Sequence, residues 1–586
     1  MSAPRSTGLS RLTLASPLLL CLATAVLAQA PGVALGDARE FANGEIVGEE
    51  ALRTATRTYA YTYRPTRWEQ AEVRVMTDAV LNELDPIREL TVLPHGNGLH
   101  PEAPIRWTWP DAREHYAMSA GRDHLLWTYL TAAPGSPLAD VVTEIRDERG
   151  QPRGRHLVAQ VPRRGLEDLY FASERSPDLS HTALVVSDQR DFSLTTASHR
   201  DPVTLHATVF DGGGRPVTAV HQELPFARNQ LLVDDVTVDD DGTVYLVGRL
   251  FEGGAKWNGL TRARYDVFAL VLRPGADGFE VTTLDAGRTF LVGATVTVDA
   301  SGQAYFVGAY SDLLAGTLAG GLKSGSGYVT GTFRAAFTGD STLALERQPL
   351  PAEFYDQLPG FWKAKDLFNG RIYGTTAVSM RAAMRRLDGS AAILLAAGGA
   401  DEVREQGWGG RSTVHTNHDG GLLLTFAPDG SAELPLYVPL NQIVNRPATS
   451  SPRLRLVDVQ LRPRWRSRRE LEPFPYGGLQ LVLTDDGFGV AYNDNPRNLT
   501  RDLRRRPRKT TFGGAIAVLA TAGPGGRLQR SPLFGASEAG ALLHVGSAER
   551  GAGGWVAFAA SDRRWLAPDR LRLGVFHPER LLAGGE

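Results

Sequence analysis

Cysteine is almost absent: the 586 residues contain one, Cys21, and none follows it. Beyond that position there can be no disulfide, no thiol nucleophile and no cysteinyl zinc site, so a large apolar core must hold the chain. After Leu27 no apolar run approaches the roughly 20 residues of a membrane span. Neither sign of charge dominates, with 63 Lys and Arg against 65 Asp and Glu and a net charge of -2. That balance argues against nucleic acid as the main partner, which calls for a dominant basic surface. Gly-x-Ser-x-Gly elbows and Gly-Lys-Ser/Thr phosphate loops are missing too. Carboxylate pairs for glycoside hydrolysis depend on a separation that a sequence does not supply.

What is present begins with a leader. Arg5 and Arg11 precede an apolar run from Leu12 to Leu27, and Ala28-Gln29-Ala30 forms a small-x-small site. This is the layout of a cleavable secretory signal over residues 1–30, with a mature start near Pro31 and a location in the periplasm, on the cell surface or in the medium. A membrane anchor is the alternative, but Ser16 and Pro17 interrupt the run. Leu20 before Cys21 is not the small residue that a lipidation site wants.

The body is repetitive. Val236 to Leu250 (VTVDDDGTVYLVGRL) and Val296 to Tyr310 (VTVDASGQAYFVGAY) agree at eight of fifteen positions, 60 residues apart. Each alternates apolar and polar residues, turns at Asp-x-x-Gly and resumes as a strand, the mark of a β-hairpin. Looser copies lie at Leu387 to Ala397 and Leu481 to Asn493. A second hairpin type, apolar strand then Pro/Gly/Asp turn then polar strand, follows at Phe268 to Leu284, Leu422 to Val438 and Ala515 to Leu533. One hairpin of each type makes four antiparallel strands, the blade of a β-propeller. Blades centre near residues 165–225, 232–285, 292–350, 383–440 and 478–535, with a partial unit at 541–576 and another drawn from 125–161. The expected fold is therefore an all-β, propeller-like array of six or seven blades over residues 125–586. A pair of β-sandwiches is the competing fold, though sandwiches do not ordinarily repeat one hairpin sequence at a fixed offset. Residues 31–124 read as an N-terminal segment packed on the body. Within it Arg67 to Leu84 has helical apolar spacing and is expected to form an amphipathic helix. Trp107, Trp109 and Trp127 suit either a groove or buried anchors.

The signature V-x-V-D-x-x-G-x-x-Y-x-V-G, at Val236 to Gly248 and Val296 to Gly308, resembles the repeat of exported bacterial β-propeller proteins. The likeness covers Ser180 to Leu533. It implies fold and export, and transfers no functional residue, because such families share no agreed activity.

Antiparallel blades alternate chain ends, so turns within hairpins share one end of the ring and connections between hairpins share the other. The hairpin turns are tight, whereas 251–266, 311–327, 351–384, 398–420, 441–478 and 494–513 are long. Long loops on a rigid scaffold are where binding residues concentrate, and that end is the expected recognition face. Two of its loops are basic: Arg462, Arg464, Arg466, Arg468 and Arg469 surround Trp465, and Arg497, Arg501, Arg504, Arg505, Arg506, Arg508 and Lys509 follow in the other. Arginine forks hold carboxylate, sulfate or phosphate, so Arg464, Trp465, Arg466, Arg504, Arg505 and Arg506 are candidate contacts to an anionic glycan or protein. Two solvated loops without a ligand would look the same in sequence. His415, His418 and Asp419 lack a zincin arrangement and a third ligand. Tyr492-Asn-Asp-Asn495 offers oxygens that suit either calcium or the capping of a turn. No metal, cofactor or catalytic residue is assigned. The sequence thus points to a secreted binding or scaffold protein, with an extracytoplasmic hydrolase of polysaccharide or peptide as the alternative.

Overall fold

Aspartate and glycine at fixed spacing build the turns. At Asp147, Asp211, Asp239 and Asp299 the carboxylate Oδ1 accepts the backbone N–H groups two and four residues on. Three residues on, the glycine donates its N–H to the aspartate carbonyl. Those glycines, 150, 214, 242 and 302, hold φ of 80 to 86°. An L side chain resists that region, which explains glycine there.

The computed structural model describes residues 33–40, 46–47, 51–65, 86–96, 99–133, 136–162, 170–187, 202–227, 231–251, 265–284, 289–312, 329–338, 341–342, 345–365, 372–375, 378–404, 412–447, 477–484, 487–510, 514–523, 526–534, 541–545, 549–550, 556–562 and 570–576. The strands assemble as a β-propeller of eight blades, where the sequence suggested six or seven. The extra one is blade 1. It shares a single eight-stranded sheet with blade 2, because the long strand Ile105–Ala120 pairs with Pro86–His95 on one side and His124–Thr131 on the other. Blade 2 continues through Leu138–Asp147 and Pro152–Pro162. Blade 3 is Tyr170–Arg175, His181–Ser187, Pro202–Asp211 and Pro216–Ala227; blade 4 is Leu231–Val238, Val244–Phe251, Tyr265–Leu272 and Glu280–Leu284. Blade 5 runs from Phe290–Val298 through Ala304–Ser311 and Gly331–Thr338 to Glu346–Pro349. Blade 6 is Ser379–Arg385, Ala391–Arg404, Ser412–Phe426 and Leu436–Pro447; blade 7 is Gln480–Thr484, Gly487–Asp494, Ile516–Gly523 and Arg527–Pro532.

Blade 8 closes the ring. Its strands Ala541–Leu543, Val556–Asp562 and Arg570–Phe576 take their outer partner from the start of the chain, where Val33–Leu35 pairs with Phe576 to Gly574. The interfaces between blades are apolar. Tyr59 and Trp107 of blade 1 join Trp127 and Val142 of blade 2, and Leu126 and Ile145 of blade 2 join Phe171 and Phe210 of blade 3. The series continues with Val185 and Phe268, Val267 and Phe306, and Val307 and Leu395, then through Leu481 and Val518 to Leu543 and Phe558. Leu571, Leu573 and Val575 of blade 8 then meet Ala60 and Leu93 of blade 1. This unbroken circuit of apolar contacts is the large core that a chain with a single cysteine, and so without an internal disulfide, requires.

The expected N-terminal helix at Arg67 to Leu84 falls outside the described residues. The α-helix among the described residues is Ala352–Gln357, which buries Phe354 between blades 5 and 6. Trp107 and Trp127 are core residues. The Arg113 guanidinium lies 5.0 Å from the Trp109 ring centre and 4.5 Å from that of Tyr129, and donates to Glu144 at 3.0 Å. Among the described residues no helix is long and apolar enough to cross a membrane.

Candidate functional site

Register fixes which end each connection occupies. In blade 7 Thr484 pairs with Gly487 at a tight turn, and Asp494 pairs with Ile516 at the other end, so the 494–513 connection rises opposite the tight turns. The same alternation holds in blades 4, 5 and 6. Not every long connection is a loop. The 398–420 segment continues the blade 6 strands, pairing Gly398 with His418 and Arg404 with Ser412, and Leu436–Pro447 extends alongside. His415 and His418 therefore stand on a strand.

The basic connection after blade 7 is a compact loop built around two buried side chains. Asp494 Oδ1 accepts from Asn495 N at 2.7 Å, Asn498 Nδ2 at 2.8 Å and Thr510 Oγ1 at 2.8 Å. Asn498, fully buried, also clasps the far arm: its Nδ2 donates to Arg508 O and its Oδ1 accepts Arg508 N. Asn495 Oδ1 accepts Arg497 N and caps the 3-10 turn Pro496–Asn498. Blade 6 reaches over through Asn441, whose Nδ2 donates to Pro507 O while its carbonyl accepts Thr510 N. Beneath, Arg530 Nη2 donates to the carbonyls of Leu499 and Arg501. The oxygens of Asn493, Asn495 and Asn498 each accept a backbone N–H, so this cluster serves as a clamp for the loop.

On this clamped backbone Arg504, Arg505 and Arg506 are all exposed. Arg506 faces Asp419 at 3.6 Å. Arg497, Arg504, Arg505, Arg508 and Lys509 are exposed and have no ion-pair partner among the described residues. Arg464, Trp465 and Arg466 lie outside the described residues.

The ring interior carries groups that the sequence reading passed over. Asp235, Thr295 and Arg385, from the inner strands of blades 4, 5 and 6, form one network: Arg385 Nη2 meets Asp235 Oδ2 at 2.5 Å, and Thr295 Oγ1 donates to the same oxygen at 2.5 Å. Beside it, Asp234 pairs with Arg249 at 2.7 Å. Burial pushes both carboxyls upward, and the arginines oppose that shift. Consecutive acids entering an otherwise apolar strand, Asp234-Asp235, were the available signal. His418 and His544 are held neutral by burial, at about 3 and about 4, with the Arg381 charge adding to the effect at His418. A carboxylate pair does occur at the tight-turn end, where Asp178 N donates to Asp240 Oδ1 and burial raises Asp240 to about 6. Among the described residues no three His, Cys, Asp or Glu side chains gather as metal ligands would.

No protein-family model matches this chain, and no curated protein does. Solved structures are similar to it at low identity. They include the β-propeller domain of the Trilobed protease from Pyrococcus furiosus, at 8% identity over 72% of this chain and 100% of that one, with a TM-score of 0.28. The polysaccharide lyase Uly1 is 10% identical over 92% of this chain and 100% of its own, with a TM-score of 0.35. A prolyl endopeptidase structure is 12% identical over 83% of this chain and 60% of its own, with a TM-score of 0.30. Such remote likenesses carry no argument about activity, and the propeller assignment stands on the sheet order itself.

Proposed function

We propose that this protein is an exported binding protein that holds an anionic glycan on its long-loop face. Arg504, Arg505 and Arg506 are the principal contacts, and Arg464, Trp465 and Arg466 of the neighbouring basic segment are further ones. The observation behind this reading is the clamped loop. Its backbone is fixed by Asp494, Asn498 and Asn441, and its cations face solvent largely without carboxylate partners. A loop held in place loses little conformational freedom on binding, so charge attraction is not offset by ordering. Arginine's planar fork suits carboxylate and sulfate oxygens.

The hydrolase alternative finds less support. Asp234 and Asp235 are engaged by Arg249 and Arg385, and the Asp178 and Asp240 pair lies at the opposite end of the ring. The test is retention on immobilised heparin of the mature chain and of its Arg504→Ser, Arg505→Ser, Arg506→Ser triple variant. The variant should elute at distinctly lower salt with an unchanged thermal midpoint, and equal retention would end the proposal.

A further inference from the structure

The way the basic loop is built bears on how many charges its ligand must carry. A site for one isolated anion ordinarily offers converging backbone N–H groups as well as side chains. Here nine of those groups already have acceptors within the protein. The N–H of Asn495 goes to Asp494, that of Arg497 to the Asn495 side chain, that of Arg504 to Asp502 and that of Arg508 to Asn498. Asn498, Leu499, Arg501, Arg505 and Thr510 donate theirs to backbone carbonyls. These nine N–H groups are closed to a ligand, and what the loop chiefly presents is a spread of outward cations. Exposed and without an ion-pair partner among the described residues are Arg497, Arg504, Arg505, Arg508 and Lys509, and between residues 497 and 509 the one acid is Asp502.

We infer that the loop recognises a linear, repeatedly charged glycan by several separate side-chain contacts along its length, with Asn498 as the positioning residue that keeps those cations in one array. This rests on the glycan-binding reading above. Nucleic acid is the other linear polyanion, but the whole chain has a net charge of -2 and the basic excess is local, which argues against it as the partner.

Two signatures follow. Affinity should grow with chain length, because each added repeat reaches another cation. It should also fall steeply with salt: with about four phosphate-like contacts the log–log slope is near -3, an about 60-fold loss between about 50 and 200 mM, against about threefold for one contact.

The experiment is calorimetric titration of the mature chain with heparin-derived di-, tetra- and octasaccharides at two salt concentrations, with single-stranded DNA of matched charge as comparator. Affinity rising at least tenfold from di- to octasaccharide, with the steep salt dependence, supports the inference. Equal affinity for disaccharide and octasaccharide would overturn it while leaving the binding reading intact, and no binding to any length would overturn both. Tighter binding of the DNA would replace glycan with nucleic acid as the partner. Asn498→Ala keeps every charge and should lower octasaccharide affinity at least fivefold, and unchanged affinity would remove the positioning role. Should that variant fail to fold, the Arg504→Ser, Arg505→Ser, Arg508→Ser variant reads the same array by flattening the length dependence, and a preserved length dependence would count against it.

Discussion

Replacing Arg385 with methionine removes one cation from the ring interior and leaves the rest of its side-chain volume in place. In the parent protein Asp235 Oδ2 receives Arg385 Nη2 and Thr295 Oγ1, both at 2.5 Å, so three consecutive blades meet at one oxygen. The Asp235 side chain is 16% exposed and that of Arg385 12%, so water replaces little of what is lost. Two charges about 4 Å apart attract by about 4 kcal/mol at the effective dielectric of such sites, and breaking a buried pair costs about 3–5 kcal/mol. The variant should therefore lose about 4 kcal/mol in urea denaturation at pH 7. Burial already pushes the Asp235 carboxyl up, and removing Arg385 pushes it further. A carboxyl with a raised folded pKa takes up a proton on folding, so the penalty should shrink as the pH falls from 7 to 5. Asp235→Asn combined with Arg385→Met should recover most of the loss. A single variant within 1 kcal/mol of the parent at pH 7, or one that suffers more at pH 5, would refute the account.

The other two expectations concern histidines and a pair of turn glycines. His95, His206 and His544 are held at about 4 and His418 at about 3, all chiefly by burial, so the unfolded chain binds protons that the folded one refuses. Their contribution is complete above about pH 6.5 and is lost as the pH falls towards 4, at up to about 3 kcal/mol each. Thermal midpoints should drop steeply between pH 6.5 and 4.5, and a flat profile would contradict this. Gly389 has φ of 84°, and a Cβ there would sit 2.3 Å from Val298 O of the neighbouring blade; Gly302 has φ of 81° with nothing within 4 Å. Alanine at Gly302 should cost about 1–2 kcal/mol from the backbone alone, and alanine at Gly389 clearly more. Equal midpoint shifts for the two variants would show that the blade contact is soft.

The blades that could be read from sequence are those whose turns use local chemistry. Asp239-x-x-Gly242 and Asp299-x-x-Gly302 close on themselves through four residues, so their pattern survives in one dimension. Blade 1 carries no Asp-x-x-Gly turn among its described residues; its closed turn, Thr54 to Arg57, has neither aspartate nor glycine. Its strands Thr58–Pro65 and Pro86–His95 lie on either side of the segment read as a helix, and its third strand is shared with blade 2. Its existence depends on pairing over distance, as does the Val33–Leu35 strand that pairs with residues more than 500 positions away. At the site, sequence supplied the arginines but not their scaffold. Asn498 looks like one more turn residue until Asp494 and Arg508 are brought to it from opposite arms. Arg385 and Asp235 carry no sign of each other, being 150 residues apart on different blades.

Antiparallel closure of blade 8 leaves Val33 directly opposite Phe576, beside the short hairpin turns. Val33 and Phe576 thus stand on the same side, opposite the one that carries the 494–513 connection. Anything joined ahead of Val33 or behind Phe576, whether a tether, a fluorescent tag or a solid support, would hold the disc from behind and turn its charged front outward.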